Sequence, residues 1–223
     1  MKVKRKAPLR VLITGGPTRA YLDRVRFLTN FSSGALAYEL CKTLARRRIE
    51  VALVSGPTAQ PFDRIRLARW EPVETTDEMR SSVMRLCREF RPDVAVFSAA
   101  VLDFAPVKAR AGKVSSRTGW TIRLRPTPKI IDEVGRKYPA VRRVGFKLEW
   151  KKSSEAAARR DAKQILTSKG LDALCLNYLS ELTGSTHPAI LMDNAGNWQA
   201  ARSKPEIARW IAGFVMASAL NGR

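Results

Sequence analysis

Two short turns of small residues near the start of the chain have the composition of a phosphate-binding site. Gly15 and Gly16 end the apolar run "LRVLITGG". The second turn, within "NFSSG", consists of Ser32, Ser33 and Gly34. A helix pattern begins directly after it, and the free N–H groups and dipole of a helix N-terminus attract anions. With Asn30 beside them, the turns predict a site for a phosphate or a triphosphate chain, unless Ser33 only caps the helix and Asn30 only forms a turn.

Five further positions extend this chemistry. Ala99 and Ala100 lie at the end of the predicted strand in "PDVAVFSAAV", where small side chains let a flat ligand approach. Asp103 could hold a ribose hydroxyl or a metal, or could only cap a turn. Lys113 could neutralise the charge that develops on a phosphate. The alternative is a solvated surface position, which is usual for such a lysine. Phe146 could stack on a base, with packing in the core as the alternative.

The order of apolar segments predicts strands that alternate with helices. "LRVLITGG", "EVALVSGP" and "PDVAVFSAAV" are typical of buried strands, and "GALAYELCKTLARRR" and "ETTDEMRSSVMRLCREF" have apolar residues at helical spacing. Strand "RRVGFKLEW", helix "SEAAARRDAKQILTSKG", strand "LDALCLNYL", a hairpin in "AILMDNAGNWQAA" and a last helix after Ser203 continue the pattern. We expect an α/β fold, Rossmann-like and in three layers, with a parallel-rich sheet flanked by helices and a single domain over 1–223.

The segment over about 104–119 is expected to form a flexible flap over the site. It is rich in Lys, Arg, Gly and Ser, and it follows the carboxyl end of a predicted central strand. Ligands bind at that edge of open α/β sheets. After the flap, "TGWTIRLRPT" alternates as a half-exposed strand does. The basic N-terminal segment 1–8 is predicted to be flexible as well.

The composition limits the classes of function. The chain has 41 Lys and Arg against 20 Asp and Glu, a formal net charge of +21, which attracts polyanions and keeps a nucleic-acid-binding protein as an alternative. These bases are scattered without an aromatic stripe, which favours a basic surface with a site for a small phosphorylated ligand. The three cysteines lack metal-ligand spacing, and the single histidine, His187, precedes a proline. No apolar run is long enough to span a membrane, so we expect a cytoplasmic protein without a membrane partner.

A nicotinamide-dependent reductase is a second alternative, since it would share the α/β architecture. It needs a glycine pattern, G-x-G-x-x-G, after the first strand. The chain has "GGPTRA" there instead. The sequence therefore disfavours a dinucleotide site.

Several short motifs in one order resemble the phosphopantothenate-cysteine ligase family, the second half of the bifunctional coenzyme A biosynthesis flavoprotein. They are "ITGGPTRAYLDRVRFLTNFSSG", "VSGPT", "FSAAVLDFAP", "GKVSS", "GFKLE" and "LDALCLNYL". The resemblance covers about residues 8 to 216. Members join 4'-phosphopantothenate to cysteine: a nucleoside triphosphate activates the carboxylate as an acyl-nucleotide, and the cysteine amine then expels the monophosphate. The resemblance implies this reaction here, promoted by alignment and charge neutralisation.

The resemblance also implies roles for individual residues. Asn30 matches the asparagine that holds the activated acyl group, and Lys113 matches a lysine of a flap that closes over the intermediate, so these two are the expected catalytic residues. The expected nucleotide- and phosphate-binding residues are Gly15, Gly16, Ser32, Ser33, Gly34, Ala99, Ala100, Asp103, Phe146 and Lys169. No metal ligand is assigned. The chain departs from the family at Asn177, in "LNY" instead of "AND", and after "SSG", where "ALA" replaces the Lys-Met-Gly of bacterial relatives. A related nucleotide-binding protein with a drifted substrate therefore stays an alternative.

The same resemblance implies the partners. The expected substrates are 4'-phosphopantothenate, cysteine and a nucleoside triphosphate carrying Mg2+. ATP and CTP both stay open, although "FLTNFSSG" and "FKLE" are more similar to the ATP-using eukaryotic members. We expect a stand-alone ligase without the flavin decarboxylase half, no flavin, and a homodimer.

Overall fold

The computed structural model describes residues 8–151, 154–183 and 186–221, except for the side chains of 219–221. The strands are β1 (Arg10–Gly15), β2 (Arg19–Tyr21), β3 (Phe27–Thr29), β4 (Glu50–Ser55), β5 (Arg69–Pro72), β6 (Val94–Phe97), β7 (Phe104–Pro106), β8 (Leu124–Pro126), β9 (Arg142–Glu149), β10 (Ala173–Tyr178), β11 (Ala189–Asp193) and β12 (Trp198–Ala201). The helices are α1 (Ala35–Ala45), α2 (Thr76–Glu89), α3 (Ile130–Lys137), α4 (Glu155–Lys169) and α5 (Lys204–Asn221). Apart from Pro8, the N-terminal segment predicted to be flexible lies outside the described residues.

An eight-stranded sheet in the order β12-β11-β10-β9-β6-β1-β4-β5 forms the middle layer. The neighbouring strands β10, β9, β6, β1, β4 and β5 pair in parallel. Strands β11 and β12 add an antiparallel edge beside β10. The central strand β1 pairs in parallel with both β4 and β6, so that Ile13 lies opposite Leu53 on one side and Val96 on the other. These three residues are fully buried. Helices on both faces bury such strands completely, which explains their nearly continuous apolar sequence.

Helices cover the two faces of the sheet in separate groups. Helices α1 and α5 pack on one face, through Leu40, Leu44, Ile207, Ile211 and Val215. Helices α2, α3 and α4 pack on the other, through Met79, Val83, Val134, Ala162 and Leu166. The predicted three-layer α/β fold is thereby confirmed. Within the described part of the chain, none of the helices combines the length and the apolar composition needed to cross a membrane.

Two antiparallel hairpins project from the carboxyl edge of the sheet, and the sequence did not predict either one. Strands β2 and β3 form one hairpin, and β7 and β8 form the other. Of the half-exposed strand predicted in "TGWTIRLRPT", only the three residues of β8 pair, and they pair with β7 outside the main sheet. Pro106 and Pro126 end these strands, and a proline lacks the N–H that a central strand needs.

The residue at the N-cap position of helix α1 is not Ser33, which the sequence analysis considered for that position. The N-cap position is occupied by Gly34, whose φ of 71° lies in the left-handed region and which makes no side-chain capping bond. Helix α2, by contrast, begins with a capping box in which Thr75 and Glu78 exchange side-chain and backbone hydrogen bonds. The start of α1 therefore depends on the conformation of Gly34 at the N-cap position, and Ser33 Oγ accepts a hydrogen bond from the N–H of Ala35 at 3.4 Å.

Candidate functional site

The turn after β1 lies between the segments that follow β4 and β6. The carbonyl of Gly15 accepts a hydrogen bond from the N–H of Gly56 at 2.9 Å, and the carbonyl of Gly16 accepts one from Ala100 at 2.9 Å. The carbonyl of Ala100 in turn accepts a bond from the N–H of Thr18 at 3.4 Å. Three strand ends are therefore joined through their backbones at the edge where ligands bind in this class of sheet.

The glycines at this edge permit contacts that side chains would block. A Cβ on Gly56 would lie 1.6 Å from the carbonyl oxygen of Pro17, and a Cβ on Gly34 would lie 2.7 Å from Oγ1 of Thr58. Neither distance is sterically possible, and the first involves backbone that has no rotamer to change. Gly34 also has a positive φ, which other residues adopt at a cost. Glycine is thus required for the close packing of the turns.

The turn of Ser32, Ser33 and Gly34 is held against the loop after β4. Thr58 Oγ1 donates to the carbonyl of Ser33 at 2.7 Å, and Gln60 Nε2 donates to the same carbonyl at 3.1 Å. Ser32 Oγ accepts from the N–H of Gly34 at 3.4 Å. Thr58 and Gln60 were not predicted as site residues, although Thr58 lies in the quoted segment "VSGPT". The result is a fixed turn at a helix N-terminus, the arrangement that attracts an anion.

Asn30 lies where the β2–β3 hairpin meets the segment after β6. Its Nδ2 donates to the carbonyl of Val101 at 3.2 Å, and the side chain is exposed. Val101 directly follows Ala99 and Ala100, and Ala100 is the residue bonded to Gly16. The structure therefore brings together Asn30, the alanine pair and the glycine turn, as the sequence predicted.

Asp103 lies at the same edge but is engaged in an ion pair. Its carboxylate pairs with the ammonium of Lys129, the residue before α3, and both side chains are exposed. The backbone N–H of Thr127 donates to the carbonyl of Asp103 at 2.9 Å. Lys129 was missed from the sequence, since its role depends on the direction in which α3 leaves the edge. Asp103 and Lys129 together present one negative and one positive group to the site.

A buried threonine that the sequence analysis missed supports this edge from within. Thr18 is fully buried, and its Oγ1 accepts a hydrogen bond from the N–H of Leu102 at 3.0 Å. The same hydroxyl lies 3.0 Å from Oγ1 of Thr76, at the start of α2. Thr18 thus connects the first turn to the segment that carries Asp103.

The flap lies against the β2–β3 hairpin, and Lys113 is exposed on it. The next residue, Val114, donates its N–H to Asp23 Oδ2 at 3.1 Å, and its carbonyl accepts from Arg26 at 3.1 Å. Burial opposes the charge of Asp23, but its bonds from backbone N–H groups and the neighbouring Arg26 lower its pKa below the ordinary value. The flap therefore has an ordered attachment directly beside Lys113.

Two predicted nucleotide-binding residues are placed differently from the rest. Phe146 lies on β9, is half-buried and packs against the core beneath α1 and α5, as the core-packing alternative proposed. Lys169 is the last residue of α4, and its Nζ is 3.9 Å from a carboxylate oxygen of Asp132. The following Gly170 accepts a hydrogen bond from Arg143 at the start of β9. The backbone at Lys169 therefore lies at the amino edge of the sheet, and its side chain extends towards the first turn of α3.

The side-chain amide of Asn177 makes its contacts inside the fold. It is buried on β10, its Nδ2 donates to the carbonyl of Pro188 at 2.6 Å, and its Oδ1 lies 3.4 Å from the Cys175 sulfur. Both polar ends of the amide have a partner inside the fold. This residue therefore joins β10 to the segment before β11.

The donor set at the edge fits a magnesium ion that is carried mainly by a nucleotide. Within the described residues, no group of three or more His, Cys, Asp or Glu side chains could hold a metal. Mg2+ bound to substrate phosphates needs only one or two protein carboxylates. Asp103, in its ion pair with Lys129, is the carboxylate at this edge that would hold such an ion.

Comparison with known proteins gives matches over most of the chain. Residues 7–218 match the family described as the DNA/pantothenate metabolism flavoprotein C-terminal domain. The coenzyme A biosynthesis bifunctional protein CoaBC of Thermococcus kodakarensis is 34% identical over 82% of this chain and 44% of its own length. The chain therefore spans less than half the length of that relative.

Solved structures agree in fold. The C-terminal domain of a CoaBC protein superposes with a TM-score of 0.76 at 27% identity, over 96% of this chain and 97% of that one. A Cab2 variant in complex with phosphopantothenate-cysteine superposes with a TM-score of 0.72 at 17% identity, over 96% of this chain and 89% of that one. The similarity to the Cab2 variant, at 17% identity, shows a shared fold alone.

Proposed function

Because the chain belongs to the family of the DNA/pantothenate metabolism flavoprotein C-terminal domain, we propose that it joins 4'-phosphopantothenate to cysteine at the carboxyl edge of its sheet. The observation that carries this proposal is the backbone junction of the three strand ends, with Asn30 bonded beside it to Val101. The relatives that match at 30% identity or more include CoaBC proteins, named for coenzyme A biosynthesis. One structural neighbour, the Cab2 variant, is in complex with phosphopantothenate-cysteine, the product of this reaction.

The reaction would proceed in two steps. A carboxylate oxygen of 4'-phosphopantothenate attacks the α-phosphorus of the nucleotide, and pyrophosphate leaves. The amine of cysteine then attacks the acyl carbon, loses a proton and expels the nucleoside monophosphate. Neither step needs a protein nucleophile, so the protein acts by alignment and by stabilising charge.

The residues of the edge have distinct parts in this proposal. The turn of Ser32, Ser33 and Gly34 binds phosphate oxygens through N–H groups at the start of α1. Asn30 holds the acyl group in line, and Lys113 neutralises charge from the flap. Ala99 and Ala100 leave room for the nucleotide, and Asp103 would hold its ribose hydroxyl or the Mg2+ ion. When bound, the ion neutralises triphosphate oxygens.

The proposal also covers the choice of nucleotide and the oligomeric state. We favour ATP over CTP because of the segments "FLTNFSSG" and "FKLE". We further propose a homodimer, supported by exposed apolar side chains on the two hairpins at this edge, including Phe27, Phe104 and Leu124. Sedimentation equilibrium would measure the mass, and a monomer at all concentrations would contradict the dimer.

Pyrophosphate release tests the function. The purified chain is incubated with Mg2+ and either ATP or CTP, with and without 4'-phosphopantothenate, and with and without cysteine. We expect release that requires 4'-phosphopantothenate and is faster with ATP. A folded protein that releases no pyrophosphate under any of these conditions would contradict the ligase proposal, and faster release with CTP would contradict the choice of nucleotide.

A further inference from the structure

The carboxylate of Asp23 is buried in the turn between β2 and β3, and several donors converge on it. Its side chain has no exposed area. Oδ1 accepts from the backbone N–H groups of Val25 at 2.9 Å and Arg26 at 2.8 Å. Oδ2 accepts from the Arg26 guanidinium at 3.0 Å and from the backbone N–H of Val114 at 3.1 Å. The first three bonds are local, whereas the fourth reaches across 91 positions to the flap.

Val114 is held at both of its backbone polar groups. Asp23 accepts from its N–H, and the Arg26 guanidinium donates to its carbonyl at 3.1 Å. Because the same guanidinium also pairs with Asp23, the three residues form one closed cluster, which we call the flap clamp. A further backbone bond, from Arg110 to the carbonyl of Leu22 at 2.9 Å, attaches the flap to the same turn.

The flap clamp is charged under ordinary conditions. Burial on its own would raise the pKa of Asp23, but the bonds from Val25, Val114 and Arg26 together lower it. Asp23 is therefore a carboxylate at neutral pH, and a carboxylate is a stronger acceptor than a neutral amide.

The position of the flap clamp connects it to two site residues. Lys113 directly precedes Val114, so fixing the backbone of Val114 limits the volume that the Lys113 ammonium can sample. Asn30 lies at the end of β3, the strand that follows the Asp23 turn. One hairpin thus carries Asn30 at its end and holds the Lys113 segment at its turn.

We propose that Asp23 is a positioning residue, which acts on the reaction only by holding Val114 and thereby Lys113 over the site. The part of this inference that concerns the reaction rests on the proposed function. The part that concerns the flap does not, because attachment can be measured without substrate. Asp23 itself contacts no reacting atom in this account.

The first test is amide hydrogen exchange in the substrate-free protein. Asp23→Asn keeps the shape of the side chain but removes its charge and one acceptor oxygen. We expect exchange at the Val114 amide to become faster by about tenfold or more. Glu50→Gln is the matched control, because Glu50 forms an ion pair with Arg10 at the amino ends of β1 and β4, remote from the flap. Exchange at Val114 that is the same in Asp23→Asn as in the unsubstituted protein would overturn the proposal.

A second variant keeps the test decisive if Asp23→Asn does not fold. Arg26→Gln removes the donor to the Val114 carbonyl but leaves the backbone N–H bonds to Asp23 in place. Thermal melting establishes that the variants are folded before exchange is compared. We expect Arg26→Gln also to speed exchange across 110–117, by a smaller factor than Asp23→Asn. If Asp23→Asn does not fold, unchanged protection across 110–117 in folded Arg26→Gln would by itself overturn the proposal.

The second test asks whether Asp23 acts through Lys113. Asp23→Asn should lower kcat, and the double variant Asp23→Asn/Lys113→Ala should be no slower than Lys113→Ala alone. A role in general stability predicts multiplied losses instead, because effects of independent sites combine additively in free energy. Multiplied losses would therefore overturn the positioning role. If the unsubstituted protein shows no turnover, the proposed function fails, and the exchange comparison still decides whether the flap clamp exists.

Discussion

Asn30 donates a side-chain hydrogen bond to the backbone carbonyl of Val101, and the two atoms are 3.2 Å apart. The bond joins the end of the β2–β3 hairpin to the segment after β6, which is hydrogen-bonded to the Gly16 turn. An amide fixed in this way presents its remaining polar atoms in a defined orientation. Such preorganisation is what an acyl transfer between bound substrates requires.

Asn30→Ala should reduce the ligation rate strongly while the fold is preserved. The exposed amide contributes little to the core, so melting should change little. We expect kcat/KM for 4'-phosphopantothenate to fall by about 100-fold, the size typical of losing one preorganised donor. Steady-state pyrophosphate release measures this. Asn194→Ala, an exposed asparagine in the β11–β12 turn, is the control and should retain full activity; equal activity of the two variants would contradict the role of Asn30.

Lys113→Ala should lower kcat by about tenfold or more, because the ammonium neutralises charge that grows in the transition state. The side chain is exposed, so we expect a change in unfolding free energy of no more than about 0.5 kcal/mol. Lys108→Ala, on the same flap and also exposed, is the matched control. Parallel kinetic and melting measurements check both statements, and equal loss of activity in the two variants would show that only the overall charge of the flap matters.

Gly56→Ala should destabilise the protein by roughly 1–3 kcal/mol, the usual cost of overpacking. The added methyl group would lie 1.6 Å from the Pro17 carbonyl oxygen, so the turn must move. Gly213→Ala, where the new Cβ would meet nothing within 4 Å beyond its own stretch of helix, should instead stabilise α5 by about 0.5–1 kcal/mol. Chemical denaturation of both variants measures these free energies. A neutral effect at Gly56 would contradict the packing described for the strand ends.

Glu133 on α3 should make stability depend on pH in the acid range. The bidentate bond from Arg80 and the bond from Lys137 lower its pKa from an ordinary 4.5 to about 2. A carboxylate with a lowered pKa stabilises the fold above its unfolded value, and this contribution is lost as the pH falls towards its folded value. Glu133→Gln should therefore melt roughly 2–6 °C lower at pH 7, with a difference that shrinks between pH 4.5 and about 2.

Melting curves of the unsubstituted protein and Glu133→Gln across this range provide the check. Glu89→Gln is the control, because Glu89 makes exposed ion pairs with Arg85 and Arg88. Exposed pairs contribute little to stability. A difference for Glu133→Gln that persisted unchanged down to pH 2 would show that the ion pair is not its cause.

The α/β order was predictable because it follows from local periodicity. The run around Ile13 is apolar throughout, as in a strand covered on both faces, and α1 repeats its apolar residues at helical spacing. The glycine turn and Asn30 were predictable for the same reason, since each lies at the border of such a segment. These local features define the edge where the site forms.

The remaining site residues depend on contacts that no local pattern encodes. The bond between Asp23 and Val114 joins two loops far apart in sequence, and Thr58 reaches Ser33 only because β4 lies beside β1. Lys169 was predicted from its sequence motif alone. Because a helix that follows a parallel strand returns to the amino edge of the sheet, the backbone at the end of α4 lies there. The nucleotide-binding role of Lys169 stays a prediction.

Mass-spectrometric detection of the condensed product tests the central claim most directly. The protein is incubated with 4'-phosphopantothenate, cysteine, Mg2+ and ATP or CTP, and each component is omitted in turn. The account predicts phosphopantothenoylcysteine, whose mass is that of the two substrates less one water, only when both substrates and a nucleotide are present. Its absence with a folded protein and either nucleotide would contradict the account.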